Sequence, residues 1–501
     1  MNERKIGIAI SYLNIGLQAV IGFLYVPLLL YYIGQSEYGL YQLIGSLIAY
    51  FSIMDFGLTN AVVRFYARYR ALRDRKAMEN ILAVAIRMYA GITVLVLAIG
   101  YICYLNLGWV FSGSMDAAEI TGARDIFALL LFNIGFTLLT MVFRAVINAY
   151  EKFLFLKGME TVQLVFQPVL VLLILQEYPS AFSVALVQTF LNVVLSLARA
   201  YYCFAHLHIK ICFHDWNREL LGDFRKLALS LFAVSIIDQI FFKTNQVILG
   251  IVDGTDAVAV YSIASLIYMN YMALSVAISG VYLPHVTEMI AKKEPMQQIS
   301  DLFIKIGRLQ YFLLTLVTTG FIIFGQEFIR MWAGPDFLDA YWMTLLIIIP
   351  FTIDLIQNIG LSILQAQNQY DFRAKVYLAM GIFNLCLAIP LGERYGGIGC
   401  AFATGLSMFL GNGLIMNWYY AKVTHLAIGD FWKSIGWISL PVIFCAAIGK
   451  AGYTMFDTDG STIGFVGGVG IYTLLYVLCV YKWGMNTQER MMCRSLLQRL
   501  R

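Results

Sequence analysis

The sequence predicts an all-α integral membrane protein of about 14 transmembrane helices, arranged as two six-helix lobes in a parallel pseudo-twofold repeat plus two C-terminal helices. Three observations predict this class. Of the 501 residues, 60% are hydrophobic and 13% charged, against about 25% charged in a soluble domain. The Lys and Arg residues fall almost entirely in every second inter-span segment. Short segments of the first half also recur, in the same order, in the second.

Fourteen apolar stretches each approach the roughly 20 residues that a spanning helix needs. They lie near 9–33, 38–60, 80–103, 126–147, 157–175, 181–204, 227–252, 258–283, 304–324, 341–365, 376–391, 398–420, 432–450 and 462–481. MNERK leads straight into the first, with no small-residue cleavage site, so a retained span is expected rather than a signal peptide. Of the 35 basic residues, 28 lie on the side of the N-terminus, four on the other side and three (Arg87, Arg199, Lys243) within spans. This asymmetry places both termini in the cytoplasm, and an even number of spans follows. The net charge of +5 is thereby a topology signal that requires no nucleic-acid partner. The eight cysteines form no CxxC, and free thiols are expected.

Span 1 gathers Ser11, Asn14, Gln18 and Tyr25 on one narrow arc. Asp55 and Arg64 flank the cytoplasmic end of span 2, as a cytoplasmic gate or as an ion pair at the helix end. The basic loop that follows, RFYARYRALRDRK, could hold anionic lipid headgroups at about 1 kcal/mol per basic residue or serve topology alone. Arg87 lies about two turns into span 3, where it could face an anionic headgroup or snorkel to the interface. Arg199 sits near the cytoplasmic end of span 6, where snorkelling is expected. The segment CFAHLHIKICFH, 203–214, collects residue types that bind metals, but its spacing fits no zinc pattern, and an amphipathic interfacial loop is expected.

Span 7, LALSLFAVSIIDQIFFKTNQVILGIV, carries Asp238 and Lys243 where lipid would be expected. Asn245, Asp238, Ser235, Gln246, Gln239 and Lys243 fall within an arc of roughly 160° on one side of a helix. An ionised side chain at bilayer depth costs about 2.5 to 3.5 kcal/mol, so it faces a wet cavity or a partner. Asp238 and Lys243 are about 140° apart around the axis, which makes them poor partners for each other. The expectation is one wall of a polar cavity, with an internal pairing as the alternative. Asp354, with Gln357 and Asn358, follows Pro350 closely in span 10. Asp238 and Asp354 are the acids that could bind H⁺ or Na⁺ if transport is ion-coupled, or could simply support the fold.

GQSEYGLY at 34–41 aligns with GTDAVAVY at 254–261, and INAYEKF at 147–153 aligns loosely with LQAQNQY at 364–370. Spans 1–6 then repeat as spans 7–12 in the same orientation, which gives domains 1–222, 223–424 and 425–501 and sets spans 1 and 7 beside one central cavity. The external segments offer no acidic pair in a catalytic frame, which argues against an enzyme.

The stretch from Pro27 to Phe65, PLLLYYIGQSEYGLYQLIGSLIAYFSIMDFGLTNAVVRF, resembles the Wzx-type polysaccharide flippases of the multidrug/oligosaccharidyl-lipid/polysaccharide exporter superfamily. So do VILGIVDGTDAVAVYSIA and NLCLAIPLGERYGGIGCAFAT. The resemblance covers almost the whole chain. It implies a V of two six-helix lobes that moves undecaprenyl-pyrophosphate-linked oligosaccharide from the cytoplasmic to the periplasmic leaflet of a bacterial inner membrane, without a cofactor. It also implies lumenal cations that engage the pyrophosphate. Lys243 and Arg87 fit that role here, with Gln239, Gln246, Asn245, Gln18 and Asn14 as polar lining, fewer arginines than some relatives carry. A polysaccharide polymerase and a chain-length regulator would be its partners, besides membrane lipids. The alternatives are a cation-coupled drug or metabolite antiporter of the same superfamily and a membrane glycosyltransferase or polymerase.

Overall fold

A computed structural model describes residues 3–215, 236–367, 369–455 and 462–491, and every regular element among them is helical. In the first half these are α1 (Glu3–Ser52), α2 (Leu58–Ala71), α3 (Arg75–Phe111), α4 (Ala117–Ala149), α5 (Phe153–Leu175), α6 (Ala181–Ala205) and α7 (236–252). Next come α8 (Gly254–Ala291), α9 (Met296–Trp332), α10 (Asp339–Leu355), α11 (Ile359–Ala366) and α12 (Tyr370–Met408). The chain closes with α13 (Met416–Lys422), α14 (Ile428–Met455) and α15 (Thr462–Cys479). Eleven described segments are long and apolar enough to cross a membrane. Two of them, Gly16–Ala71 and Asp371–Lys422, each carry two of the spans read from the sequence. Ser235, the start of the span at 227–252 and the basic tail beyond residue 491 lie outside the described residues.

Four segments read as loops are wholly or mostly helical. No loop separates spans 1 and 2; α1 turns at Gly34, whose φ of 75° is left-handed backbone that glycine adopts without penalty. The basic stretch after span 2 forms α2, because Ala61, Val62, Phe65 and Tyr66 repeat at helical spacing and are buried, while Arg64 on the other face is exposed. The segments 104–125 and 325–340, which lie between apolar spans and are expected on the external side, are mostly continuations of α3, α4, α9 and α10. Composition shows where apolar runs stop, whereas helices continue past the lipid wherever backbone hydrogen bonds and caps permit. Asp116 and Glu119 form such a cap, a reciprocal capping box at the start of α4.

The chain divides into two compact units, Met1–Ser262 and Ile263–Arg501. In the first, α4 packs on α3 and α6, and α1 on α5. Helix α7 and the first turns of α8 belong to this unit. Gly254, which begins α8, has φ 83° and is the counterpart of Gly34 in the repeat. The two junctions touch. Gln35 Nε2 donates to Asp256 O (3.3 Å) and Ser36 Oγ bonds to Thr255 Oγ1 (2.9 Å). Under the repeat, Gln35 corresponds to Thr255 and Ser36 to Asp256, so the operation that exchanges the junctions exchanges these two contacts. Such reciprocity is the mark of a local twofold. Both hydroxyls also lie within hydrogen-bond distance of Glu119 Oε1, at 2.7 Å from Ser36 and 2.8 Å from Thr255, so two protons are shared among three contacts. Ser114 Oγ donates to Gly250 O (2.7 Å) beside them.

In the second unit, α14 and α15 pack on α9 around Phe312, Phe324, Val442, Tyr472 and Tyr476. The two tyrosine hydroxyls are satisfied on α9, Tyr472 at Thr319 (2.6 Å) and Tyr476 at Phe312 O (2.8 Å). One turn before Phe312 on α9, Arg308 holds Glu489 through Nε (2.6 Å) and Nη2 (2.7 Å) and also Ser434 (2.6 Å). The sequence-derived pair of extra C-terminal helices is thus joined to this unit by a buried aromatic seam and a bidentate ion pair.

A Cβ at Gly39 would lie 1.9 Å from the backbone oxygen of Thr255, which cannot swing away as a side chain can. Gly39→Val should therefore cost more than the roughly 1 to 3 kcal/mol of ordinary overpacking. Its melting temperature in detergent should fall by several degrees and its monodisperse yield should drop. Gly91→Ala, at a site with nothing within 4 Å, should match the wild type. Equal melting of Gly39→Val and wild type would contradict the close approach.

Candidate functional site

The polar arc of α7 is used in two ways. Gln246, 2% exposed, accepts from Ser46 Oγ on α1 and donates from Nε2 to Ser262 Oγ on α8 (2.9 Å). Asn245, 1% exposed, donates to the Tyr261 hydroxyl (2.8 Å), and Thr244 bonds Tyr50 (2.5 Å). These residues fasten α7 between α1 and α8. Gln239 O accepts from Tyr50 at 3.5 Å, and the buried Gln239 Oε1 has no partner among the described residues. Asp238, on the same helix, is half-buried and has an interaction partner.

Lys243 points elsewhere on the arc. It lines a pocket of about 290 Å³ in the first unit. From α1 come Tyr41, Gln42, Ser46 and Ser52, at helical intervals that put them on one face. From α4 come Asn133 and Thr137, one turn apart near the middle of that helix, and from α6 comes Gln188. Tyr41 OH donates to Gln188 Oε1 (2.5 Å). Behind the wall, Asn192 Nδ2 donates to Asn133 Oδ1 (2.5 Å) and Thr137 Oγ1 (2.6 Å). Among the described residues no carboxylate lines the pocket, and Lys243 is its one cation. An ammonium among neutral dipoles at bilayer depth is stabilised by a bound anion, and Lys serves phosphates as a compact point charge.

The remaining sequence-derived residues are spread over the molecule. Asn14 joins α1 to α5, donating to Lys157 O (3.3 Å) and accepting from Thr161 (2.7 Å), while Gln18 is exposed. Arg87 lies over the Phe213 ring at 3.6 Å, under the segment that follows α6. That segment is strapped to α3 by Asn80, which accepts from His214 N (2.8 Å) and donates to Asp215 Oδ1 (2.9 Å). Its His and Cys side chains form no group able to hold a metal among the described residues. Asp55 accepts from Tyr89 OH (2.6 Å) and Thr59 Oγ1 (2.9 Å), while Arg64 stacks 5.9 Å from Phe65. In the second unit, Asp354 faces Arg373 at 3.7 Å. Asn133, Thr137, Gln188 and Asn192 are absent from the residues expected from the sequence. The signal was two i,i+4 pairs of neutral polar residues in apolar spans, each pair sharing one helix face.

The sequence profile of the family described as polysaccharide biosynthesis protein matches residues 6–290, more than half of the chain. This protein belongs to that family. Among similar proteins, a candidate O-antigen transporter of Shigella flexneri is 21% identical over 408 residues, covering 78% of this chain and 91% of that one. A candidate low-salt glycan biosynthesis flippase of Haloferax volcanii is 24% identical over 249 residues, 49% of this chain and 52% of that one. The fold of this family member matches the lipid II flippase MurJ with a TM-score of 0.74 at 18% identity, covering 98% of this chain and all of that one. An inward-facing multidrug resistance transporter of the MATE family matches with a TM-score of 0.62 at 13% identity, over 82% of this chain and 95% of that one. The fold expected from the sequence, an all-α multi-pass membrane protein, is the one observed.

If the pocket engages an anion through Lys243, the charge matters more than the shape. Charge-assisted hydrogen bonds contribute about 1.5 to 3 kcal/mol, so Lys243→Ala should lower transport roughly tenfold to a hundredfold while Lys243→Arg keeps most of it. Complementation of a deletion strain, normalised to membrane abundance, checks this, and full activity of both variants would reject the role.

Proposed function

We propose that this protein is an alternating-access flippase that moves undecaprenyl-pyrophosphate-linked oligosaccharide units from the cytoplasmic to the periplasmic leaflet of a bacterial inner membrane, for surface polysaccharide synthesis. The observation that carries the reading is the pocket itself: among the described residues, one cation on a buried helix, neutral amides and hydroxyls, and no carboxylate. A diphosphate and its sugars cannot enter hydrocarbon, whereas a polyprenyl tail dissolves there. The pocket supplies a positive charge and hydrogen bonds within the helical bundle, which is what the headgroup lacks in lipid. Family membership and the names of the two relatives support the same cargo class.

The fold is shared with multidrug transporters, so a cationic-drug antiporter is the competing reading. A site for organic cations would be served by acids and aromatic faces, and a pocket with Lys243 and no described acid opposes it. No bond is made or broken in flipping, and the short external connections between α3 and α4 and between α9 and α10 leave little chain for a catalytic domain, so we assign no enzymatic step.

In this account both termini face the cytoplasm, the bodies that rearrange are 1–222 and 223–424, and 425–501 is accessory. The junctions at Gly34 and Gly254 then face the periplasm, and their contacts must part for cargo to leave. Any coupling to H⁺ or Na⁺ would use acids within spans. The pairing of Asp354 with Arg373 favours a supporting role for Asp354, and Asp238 is the other candidate acid within the spans. A polysaccharide polymerase and a chain-length regulator would act on the delivered units.

Deletion of the gene in its native host should abolish the surface polysaccharide and leave resistance to cationic drugs unchanged. Intact polysaccharide together with raised drug sensitivity would replace the flippase by the antiporter.

A further inference from the structure

The pocket around Lys243 holds more recognition chemistry than a diphosphate needs. A diphosphate is satisfied by cations and N–H donors, yet the rest of the wall combines amide and hydroxyl groups in two ordered pairs. Tyr41 occupies Gln188 Oε1, and Asn192 occupies Asn133 Oδ1. Each amide spends its oxygen on the protein, and the NH₂ ends of Gln188 and Asn133 have no protein partner among the described residues. An amide NH₂ offers two donors, so the wall presents four donor positions at fixed places. The volume of about 290 Å³ lies at the lower edge of the roughly 300 to 1,000 Å³ of small-molecule sites, enough for one sugar ring.

We infer that this pocket is a subsite for the single sugar attached to the diphosphate, that the sugar is uncharged, and that Gln188 and Asn133 determine its identity by donating to its ring substituents. Charge argues for neutrality. Lys243 is the one cation among the described residues of the pocket and is taken up by the diphosphate, which leaves none for an acidic sugar at a depth where an unpaired carboxylate is costly. Asn192 acts as a positioning residue, since its NH₂ group orients Asn133 and holds Thr137, whose hydroxyl also donates to Asn133 O (2.8 Å). Specificity follows from the same bonds. A site built to hydrogen-bond a substituent rejects an analogue lacking it, because its own buried groups are then left unpaired. The inference rests on the flippase reading and adds to it which part of the cargo is inspected.

The test is binding to the purified full chain in detergent. The probes are farnesyl diphosphate alone and farnesyl diphosphate carrying one N-acetylglucosamine, one galactose or one glucuronic acid residue. At least one neutral-sugar probe should bind tenfold or more tightly than farnesyl diphosphate, and the glucuronic acid probe should not. Gln188→Leu and Asn133→Leu should each remove that preference, so that the neutral-sugar probes bind the variant no more tightly than farnesyl diphosphate binds the same variant. Lys243→Ala should weaken all probes together. Thr137→Val, a smaller change, should reduce the preference severalfold without lowering the melting temperature, which guards against a misfolded leucine variant. If farnesyl diphosphate binds but no neutral sugar improves it, or if the leucine variants keep the preference, the subsite is overturned and the flippase reading stands. If the glucuronic acid probe binds best, the neutral assignment is overturned. If no diphosphate probe binds, the flippase reading falls and the subsite falls with it.

Discussion

Much of the first unit depends on one close approach, that of Gly39 on α1 to the backbone of Thr255 at the start of α8. No side chain separates the two helices there, so their polar groups meet directly and must satisfy one another in a medium without water. Ser36 and Thr255 do so by sharing Glu119, whose carboxylate also completes the cap of α4. Three helical segments are thereby held by one acidic side chain, and the acid sits where the partial positive charge of an N-terminus favours it. Glu37 does the same for α6, accepting from Ala181 N at 2.7 Å.

This anchorage fixes where α7 runs, and α7 decides what the unit can bind. With Gly250 held by Ser114, and with Gln246 and Asn245 bonded to their neighbours, the helix cannot rotate freely about its axis. Lys243 is consequently held on the wall it shares with α1, α4 and α6. A charged amine at that depth carries a standing cost, which an anionic headgroup would reduce. Affinity for an anion and the need to solvate the lysine are the same interaction seen from two sides. The bonds that hold the junctions are few, about 0.5 to 1.5 kcal/mol for each neutral contact and about 1.5 to 3 kcal/mol for each one made to the Glu119 carboxylate, a strength suited to a contact that forms and parts in each cycle.

The class of the protein was legible from hydropathy and basic-residue asymmetry, because a bilayer admits few solutions for a chain this apolar. The repeat was legible too, in the matching glycines Gly34 and Gly254, since left-handed backbone leaves a residue-level trace. Helical periodicity placed the polar residues of α7 on one side. It could not show that Gln246 and Asn245 are occupied by Ser46, Ser262 and Tyr261, because periodicity gives a face and not the residue opposite. Asn133, Thr137, Gln188 and Asn192 left a fainter trace. Uncharged polar residues are common in spans, and their meaning appears only when α4 and α6 are brought together. Likewise Asp354 was visible as an intramembrane acid, but its partner Arg373 lies on the far side of α11 in sequence, in the first turn of α12.

The most direct test is transbilayer movement of a fluorescent short-chain prenyl diphosphate-linked saccharide in vesicles containing a Ser36→Cys/Thr255→Cys variant. Movement across the bilayer is expected with the pair reduced, arrest when the pair is oxidised to a disulfide, and recovery on reduction. Vesicles in which the reduced protein moves no saccharide lipid, or in which the cross-linked protein moves it at an undiminished rate, would contradict a flippase whose junctions part in each cycle.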